Sequence, residues 1–118
     1  RQAKIDQIAN QIPLLQVQGH TDSDTLLIGW GSTEGHLHAA ANELGCALAH
    51  FNYINPLPKN TEEVLHKYKH LIVCELNNGQ FAAYLRSKFE GLRIEQYNEM
   101  TAQPFAVDRI VNFVKNAF

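Results

Sequence analysis

Three stretches of the chain, residues 25–30, 46–51 and 71–74, are apolar at successive positions rather than at alternate ones. A strand with one wet face alternates apolar and polar residues, whereas a strand covered on both faces does not. These runs therefore predict strands of a parallel sheet sandwiched by helices. A fourth run, Leu92-Arg93-Ile94-Glu95-Gln96-Tyr97, does alternate, which places it at or near a sheet edge. Residues 14–18 alternate weakly, the pattern of one further edge strand.

Helical periodicity fills the gaps. Leu37, Ala40, Ala41 and Leu44 recur at helical spacing over residues 33–44, and Gly45 predicts a left-handed stop after them. Asn60 predicts an N-cap with Glu63 in capping-box position, and Val64, Leu65 and Tyr68 form the inward face of the helix that follows. Phe81, Ala82, Leu85 and Phe89 mark a third helix; Val107, Ile110, Val111, Val114 and Phe118 mark a fourth. Strand–helix–strand units force parallel pairing with right-handed crossovers. The predicted fold class is α/β, a three-layer α/β/α domain around a mostly parallel sheet of four or five strands. The predicted plan is an N-terminal helix and linker over residues 1–20, with Ile5, Ile8 and Ile12 on one helical face, and the α/β domain over 21–118. The chain opens on Arg1 rather than Met, which fits a piece of a longer protein.

Composition narrows the partners. The 118 residues suit one domain, and the formal charge of −2 is spread without a basic stripe, so nucleic acid is not expected. No apolar run reaches the length of a membrane span, and no secretory segment is present, which points to a cytoplasmic location. Cys46 and Cys74 each sit in an apolar run, the setting of buried thiols rather than of a disulfide or redox pair. The six histidines form no zinc-type cluster: His36 and His38 point to different helix faces, and His66 and His70 straddle a helix end. No metal site is predicted.

In an open parallel sheet, ligands and partners meet the carboxyl ends of the strands. Here that rim holds Gly31, Ser32 and Thr33 after the first run, then Asn55, Pro56 and Pro58. Glu75, Asn77, Asn78, Gly79 and Gln80 follow the third run, and Asn98 follows the fourth. Glycine, amides and hydroxyls dominate, and two helices start there, so a small anion or nucleotide at their N-termini is one reading. A dinucleotide fingerprint is approached by Gly29-Trp30-Gly31-Ser32-Thr33-Glu34-Gly35, but it has one residue too many before its last glycine. Phe51 and Asn52 stand where an acidic residue would be needed. Ser32 lacks the glycine elbow of a hydrolase nucleophile. Glu75 has no second acid or histidine fixed beside it, so it is read as a helix cap or a subunit-boundary residue rather than a general acid or base. Trp30 is read as a packing or interface aromatic.

The ordered strings are Leu-Leu-Ile-Gly-Trp-Gly-Ser-Thr, His-Phe-Asn-Tyr-Ile-Asn-Pro-Leu-Pro, Leu-Ile-Val-Cys-Glu-Leu-Asn-Asn-Gly-Gln and Tyr-Asn-Glu-Met-Thr-Ala-Gln-Pro-Phe. In that order they resemble the C-terminal domain of the alpha subunit of 2-oxoacid:ferredoxin oxidoreductases, particularly the 2-oxoglutarate type. That domain is similar to the C-terminal domain of transketolase. The resemblance implies a three-layer α/β/α fold with a mostly parallel sheet, often with one antiparallel strand, and it adds Gln103 and Pro104 to the rim as family-motif positions. It also implies membership of a complex that converts a 2-oxoacid and coenzyme A to an acyl-CoA and carbon dioxide while reducing ferredoxin. The implied cofactors of that complex are thiamine diphosphate with Mg and an iron–sulfur cluster, with coenzyme A as co-substrate. None of them is expected on this chain, which is expected to be inactive alone and to carry no catalytic residue. Its expected partners are other domains of the alpha chain, a beta subunit and, through the complex, ferredoxin. Two departures from the family pattern are a shorter turn at Leu44-Gly45-Cys46 and Ala102 in place of the usual glycine. The leading reading is thus a non-catalytic scaffold or interface domain; the alternative is a stand-alone module holding a small anion or nucleotide.

Overall fold

The computed structural model describes residues 11–31, 34–76, 79–98 and 107–117. They form β1 (Val17–Gly19), β2 (Thr25–Trp30), α1 (Glu34–Leu44), β3 (Ala47–Phe51) and α2 (Thr61–His66). The chain continues through β4 (His70–Glu75), α3 (Gln80–Lys88), β5 (Ile94–Asn98) and α4 (Val107–Ala117). The five strands make one sheet in the order β1-β3-β2-β4-β5. Pairing is parallel throughout except for β1, which runs antiparallel to β3 at one edge. The α/β class, the mostly parallel sheet and the edge position of β5 all agree with the hydrophobic pattern.

Burial of the central strands on both faces explains their unbroken apolar runs. Along β2, Leu26 and Ile28 point into one core and Leu27 into the other, and all three are fully buried. The first core is closed by α2 and α3 through Val64, Leu65, Phe81, Ala82 and Leu85. The second is closed by α1 and α4 through Leu37, Ala40, Ala41, Ile110, Val111 and Val114. Each large side chain withdrawn from water in this way contributes about 2 kcal/mol.

The short turn at Leu44-Gly45-Cys46 has a simple geometry. Gly45 takes φ 71°, and the Cys46 amide returns to the Ala41 carbonyl at 2.9 Å. That bond closes a Schellman motif, so three residues suffice to leave the helix and enter β3.

Residues 14–18, whose weak alternation predicts an edge strand, lead into β1: Leu15 is buried in the first core, and β1 pairs with β3 at the sheet edge. The helix expected ahead of Gln11 lies outside the described residues. One expectation needs correction. Asn60, expected to cap α2, makes no side-chain cap. Its Oδ1 accepts the Leu15 amide at 2.8 Å, and its Nδ2 donates to the Leu15 carbonyl at 3.0 Å. A cap would satisfy one donor; the pairing with Leu15 satisfies a donor and an acceptor together. Thr61, at the helix start, donates its hydroxyl to the Pro58 carbonyl at 2.6 Å.

This pairing makes Asn60 the residue that pins the chain leading into β1. Asp is as good a cap as Asn but cannot donate to the Leu15 carbonyl. Asn60→Asp is therefore expected to destabilise the domain by about 1–2 kcal/mol in urea unfolding and to speed amide exchange in β1. Unchanged stability would return Asn60 to the capping role.

Candidate functional site

The rim is organised by Glu75. β4 delivers this residue at its carboxyl end, and its side chain is 1% exposed. Oε1 accepts the Phe81 amide at 2.7 Å and the Trp30 indole Nε1–H at 3.3 Å; Oε2 accepts the Ala82 amide at 2.9 Å. Phe81 and Ala82 lie in the first turn of α3, where backbone N–H groups have no helical partner and the helix dipole favours negative charge. Glu75 thus caps the next helix, one of the roles read from sequence. The Gly31–Trp30 end of β2 supplies the third donor.

Gly79 lets α3 begin this close to the sheet. It occupies the helix N-cap with φ 89°, and a Cβ there would collide with the Gln96 side-chain amide of β5. Both the left-handed backbone and the missing side chain are required. Arg86 ties α3 to the same strand, donating to the Gln96 Oε1 and the Ile94 carbonyl, each at 2.7 Å.

Two clefts open at this end of the molecule. One is apolar, about 120 Å³, lined by Trp30, Ile54, Gln80, Phe81 and Tyr84. Phe81 anchors it, 5.9 Å from the Trp30 ring and 5.1 Å, edge-on, from Phe51. The Tyr84 hydroxyl donates to the Ile54 carbonyl at 3.1 Å and fixes the 52–58 loop, which contains a cis Asn55-Pro56 peptide. The second cleft is polar, about 230 Å³, with Glu34, His50, Asn52 and Tyr53 among its walls.

Of the residues predicted for the rim, Glu75, Gly79 and Gln80 meet at the start of α3. Gly31 follows β2 with φ 74°, and its carbonyl takes a hydrogen bond from His50 Nε2 at 2.9 Å. Pro58 is buried at the polar cleft, whereas neither cleft includes Asn55 or Pro56 in its walls. Ser32, Thr33, Asn77, Asn78, Gln103 and Pro104 lie outside the described residues. Two functional features were missed from sequence, the Trp30–Glu75 bond and the His50–Glu34 pair. The first had a signal: β2 pairs with β4 so that Ile28 faces Val73, and two residues further along each strand stand Trp30 and Glu75.

The anion reading meets an obstacle at both helix starts. Glu75 fills the N-terminus of α3, and Glu34 occupies the first turn of α1. The Glu75 carboxylate takes the place that an external anion would need, and Glu34 sets a negative charge beside the other helix start. The thiols give no support to redox chemistry either. Cys46 and Cys74 are free and buried. Burial raises the Cys46 thiol, while burial and then the Glu75 charge push Cys74 up to about 12. Such thiols are protonated and unreactive near neutral pH. Among the described residues no group of three His, Cys, Asp or Glu converges to hold a metal ion, and no helix is long and apolar enough to cross a membrane.

Two outcomes check this site. Glu75→Gln replaces one acceptor oxygen with a donor facing an N–H group, and is expected to cost roughly 3 kcal/mol in urea unfolding. The Cys74 thiol ordinarily ionises near 9.0 but in the fold only near about 12. Below the lower value both states hold the proton; between the two, only the unfolded chain releases it. Stability therefore falls as pH rises across that window, and Cys74→Ala is expected to flatten the fall measured by urea unfolding at successive alkaline pH values.

No protein-family profile matches the chain. The chain is 40% identical over 123 aligned residues to the 2-oxoglutarate oxidoreductase subunit KorA of Mycobacterium tuberculosis, a match that takes in 99% of this chain and 18% of that protein. Its fold aligns, with a TM-score of 0.83 over 94% of the chain, to 21% of a solved chain of 2-oxoglutarate:ferredoxin oxidoreductase from Magnetococcus marinus with 2-oxoglutarate, coenzyme A and succinyl-CoA bound. Identity there is 24%, so that likeness is one of fold. The chain spans about a fifth of the length of each protein it matches. In sequence and in fold, this chain is related to one segment of the 2-oxoglutarate oxidoreductase subunits.

Proposed function

We propose that this chain is the transketolase-like C-terminal domain of the alpha subunit of a 2-oxoglutarate:ferredoxin oxidoreductase, and that it acts there as a non-catalytic scaffold. The whole complex would convert 2-oxoglutarate and coenzyme A to succinyl-CoA and carbon dioxide, passing two electrons to ferredoxin. Glu75 carries the scaffold reading. It is the acid best placed at the carboxyl rim, yet its oxygens accept two amides of its own chain and an indole N–H. A side chain so committed stiffens the rim, and its burial keeps it from solvent and from a substrate approaching through solvent. The apolar cleft beside it, with Trp30 and Tyr84, offers rigid aromatic surface of the kind that anchors a neighbouring domain or the beta subunit.

Thiamine diphosphate with its Mg ion and the iron–sulfur cluster would reside on other parts of the parent. Two buried cysteines do not make the ligand set of a cluster, and Glu75 is buried with both oxygens already hydrogen-bonded within the domain. The chemistry those groups supply is carbanion stabilisation and single-electron transfer. This domain's part is to hold the shape of the surface against which they are assembled.

The test uses the full alpha subunit assembled with its beta partner. Glu75→Ala and Asn77→Ala are expected to weaken assembly, followed by native mass spectrometry, or to lower ferredoxin-coupled turnover, while thiamine diphosphate remains bound. Loss of the cofactor from an intact assembly would overturn the scaffold role. So would turnover by the isolated 118-residue chain supplied with all substrates and cofactors.

A further inference from the structure

His50 carries an unresolved polar atom. Its side chain is 4% exposed, and its Nδ1 is buried without a hydrogen-bond partner among the described residues. The other ring nitrogen, Nε2, sits 2.9 Å from the Gly31 carbonyl. A carbonyl oxygen only accepts, so Nε2 bears the proton of that bond, and Nδ1 is an acceptor in the tautomer that holds this one proton. Glu34 Oε1, a second acceptor, lies 3.9 Å away. That separation is too long for a direct hydrogen bond and suits one N–H donor group reaching both atoms from about 2.9 Å. The other Glu34 oxygen faces His38 Nε2 at 3.7 Å, so Oε1 is the one turned to His50.

Glu34 and His50 both line the polar cleft of about 230 Å³, together with Leu14, Gln16, Asn52 and Tyr53; Nδ1 is itself shut from solvent, so a guest reaches it only when a neighbouring side chain moves. Among the described residues no Lys or Arg lines it. Leu14 and Tyr53 are two of the three large hydrophobic side chains exposed in the described structure, 52% and 44% respectively. A carboxylate, an imidazole lone pair and a tyrosine ring around one cavity make a receptor for a cation that also donates hydrogen bonds. The Glu34 side chain is 46% exposed and so has the freedom to swing aside and admit a guest.

We infer that this cleft binds a primary ammonium or guanidinium group, held between Glu34 and His50 Nδ1 with Tyr53 against its face. The group takes the opposite charge from the one a helix start usually recruits. The inference is independent of the scaffold reading, since it concerns the α1 end of the rim and not Glu75.

The probe is methylguanidinium chloride, titrated into the 118-residue chain while the His50 imidazole nitrogens are followed by ¹H–¹⁵N NMR. Sodium chloride at equal ionic strength and tetramethylammonium chloride, which has charge but no N–H, are the controls. The Nδ1 signal is expected to shift saturably with methylguanidinium only, and Glu34→Gln, on a half-exposed residue whose loss leaves the fold intact, to weaken binding about tenfold. A sub-millimolar response assigns a free small ligand. A response dependent on Glu34 that needs roughly tens of millimolar assigns a basic side chain brought in by a neighbouring chain. Several results overturn the site: no shift, the same shift with tetramethylammonium or sodium, no effect of Glu34→Gln, or a free protein in which Nδ1 already carries a proton at neutral pH.

Discussion

Covering β2, β3 and β4 on both faces leaves the carboxyl edge of the sheet as the place where polar side chains can leave the core. Glu75 meets this constraint in its sharpest form, because it stands at that edge and is still shut away from water. A buried carboxylate is tolerable only with its oxygens satisfied. The domain provides two amides from the first turn of α3 and the indole of β2, so three separate elements converge on one side chain. The position of α3 then follows: its start must lie within hydrogen-bond reach of β4, which brings Gly79, in the left-handed conformation that glycine favours, against the Gln96 side chain. The aromatic cleft follows too, since Phe81 donates its amide to Glu75 while its ring packs on Trp30.

What was legible in the sequence was what local patterns encode. Consecutive apolar positions in β2, β3 and β4 announce two-sided burial, and alternation in β5 announces an edge, because strand period and burial are properties of neighbouring residues. Gly45 stopped α1 where a glycine should, through bonds spanning only five residues. What was not legible was side-chain pairing across long stretches of chain. Asn60 has the local signature of a cap, but its amide was taken by Leu15, forty-five positions away in sequence. The same separation hides Trp30 from Glu75. The edge strand expected over residues 14–18 shows only weakly in the sequence for a related reason: β1 has three residues, and its pairing with β3 does most to define it.

The adjacency of Cys74 and Glu75 shows how closely the two cores are separated at the rim. Successive strand residues face opposite sides, so Cys74 lies among Leu27, Leu48 and Ile72 in the second core while Glu75 turns toward α3 above the first. The thiol therefore feels the Glu75 charge through the sheet and remains protonated well above its ordinary range. A cysteine beside an acid in sequence can suggest a reactive pair, but alternation across a strand puts the two groups in different environments, and burial makes the thiol inert.

Charge at the two helix starts finally separates the kinds of chemistry this rim can support. Helix N-termini at the carboxyl edge of a parallel sheet ordinarily present free amides to an anion. Here each start already has a carboxylate of the same chain, but the two are not equivalent. Glu75 is sealed from water, with Oε1 accepting two N–H bonds and Oε2 a third, so it serves the geometry of the rim. Glu34 is half-exposed, holds only long contacts to His38 and His50, and borders an open cavity. One acid therefore fixes the frame and the other remains available, and the available one sits beside an imidazole lone pair rather than beside a cation. A site assembled from acceptors discriminates by demanding donors, which is why the sign of the charge it welcomes is set by His50 and Glu34 together and not by the dipole of α1.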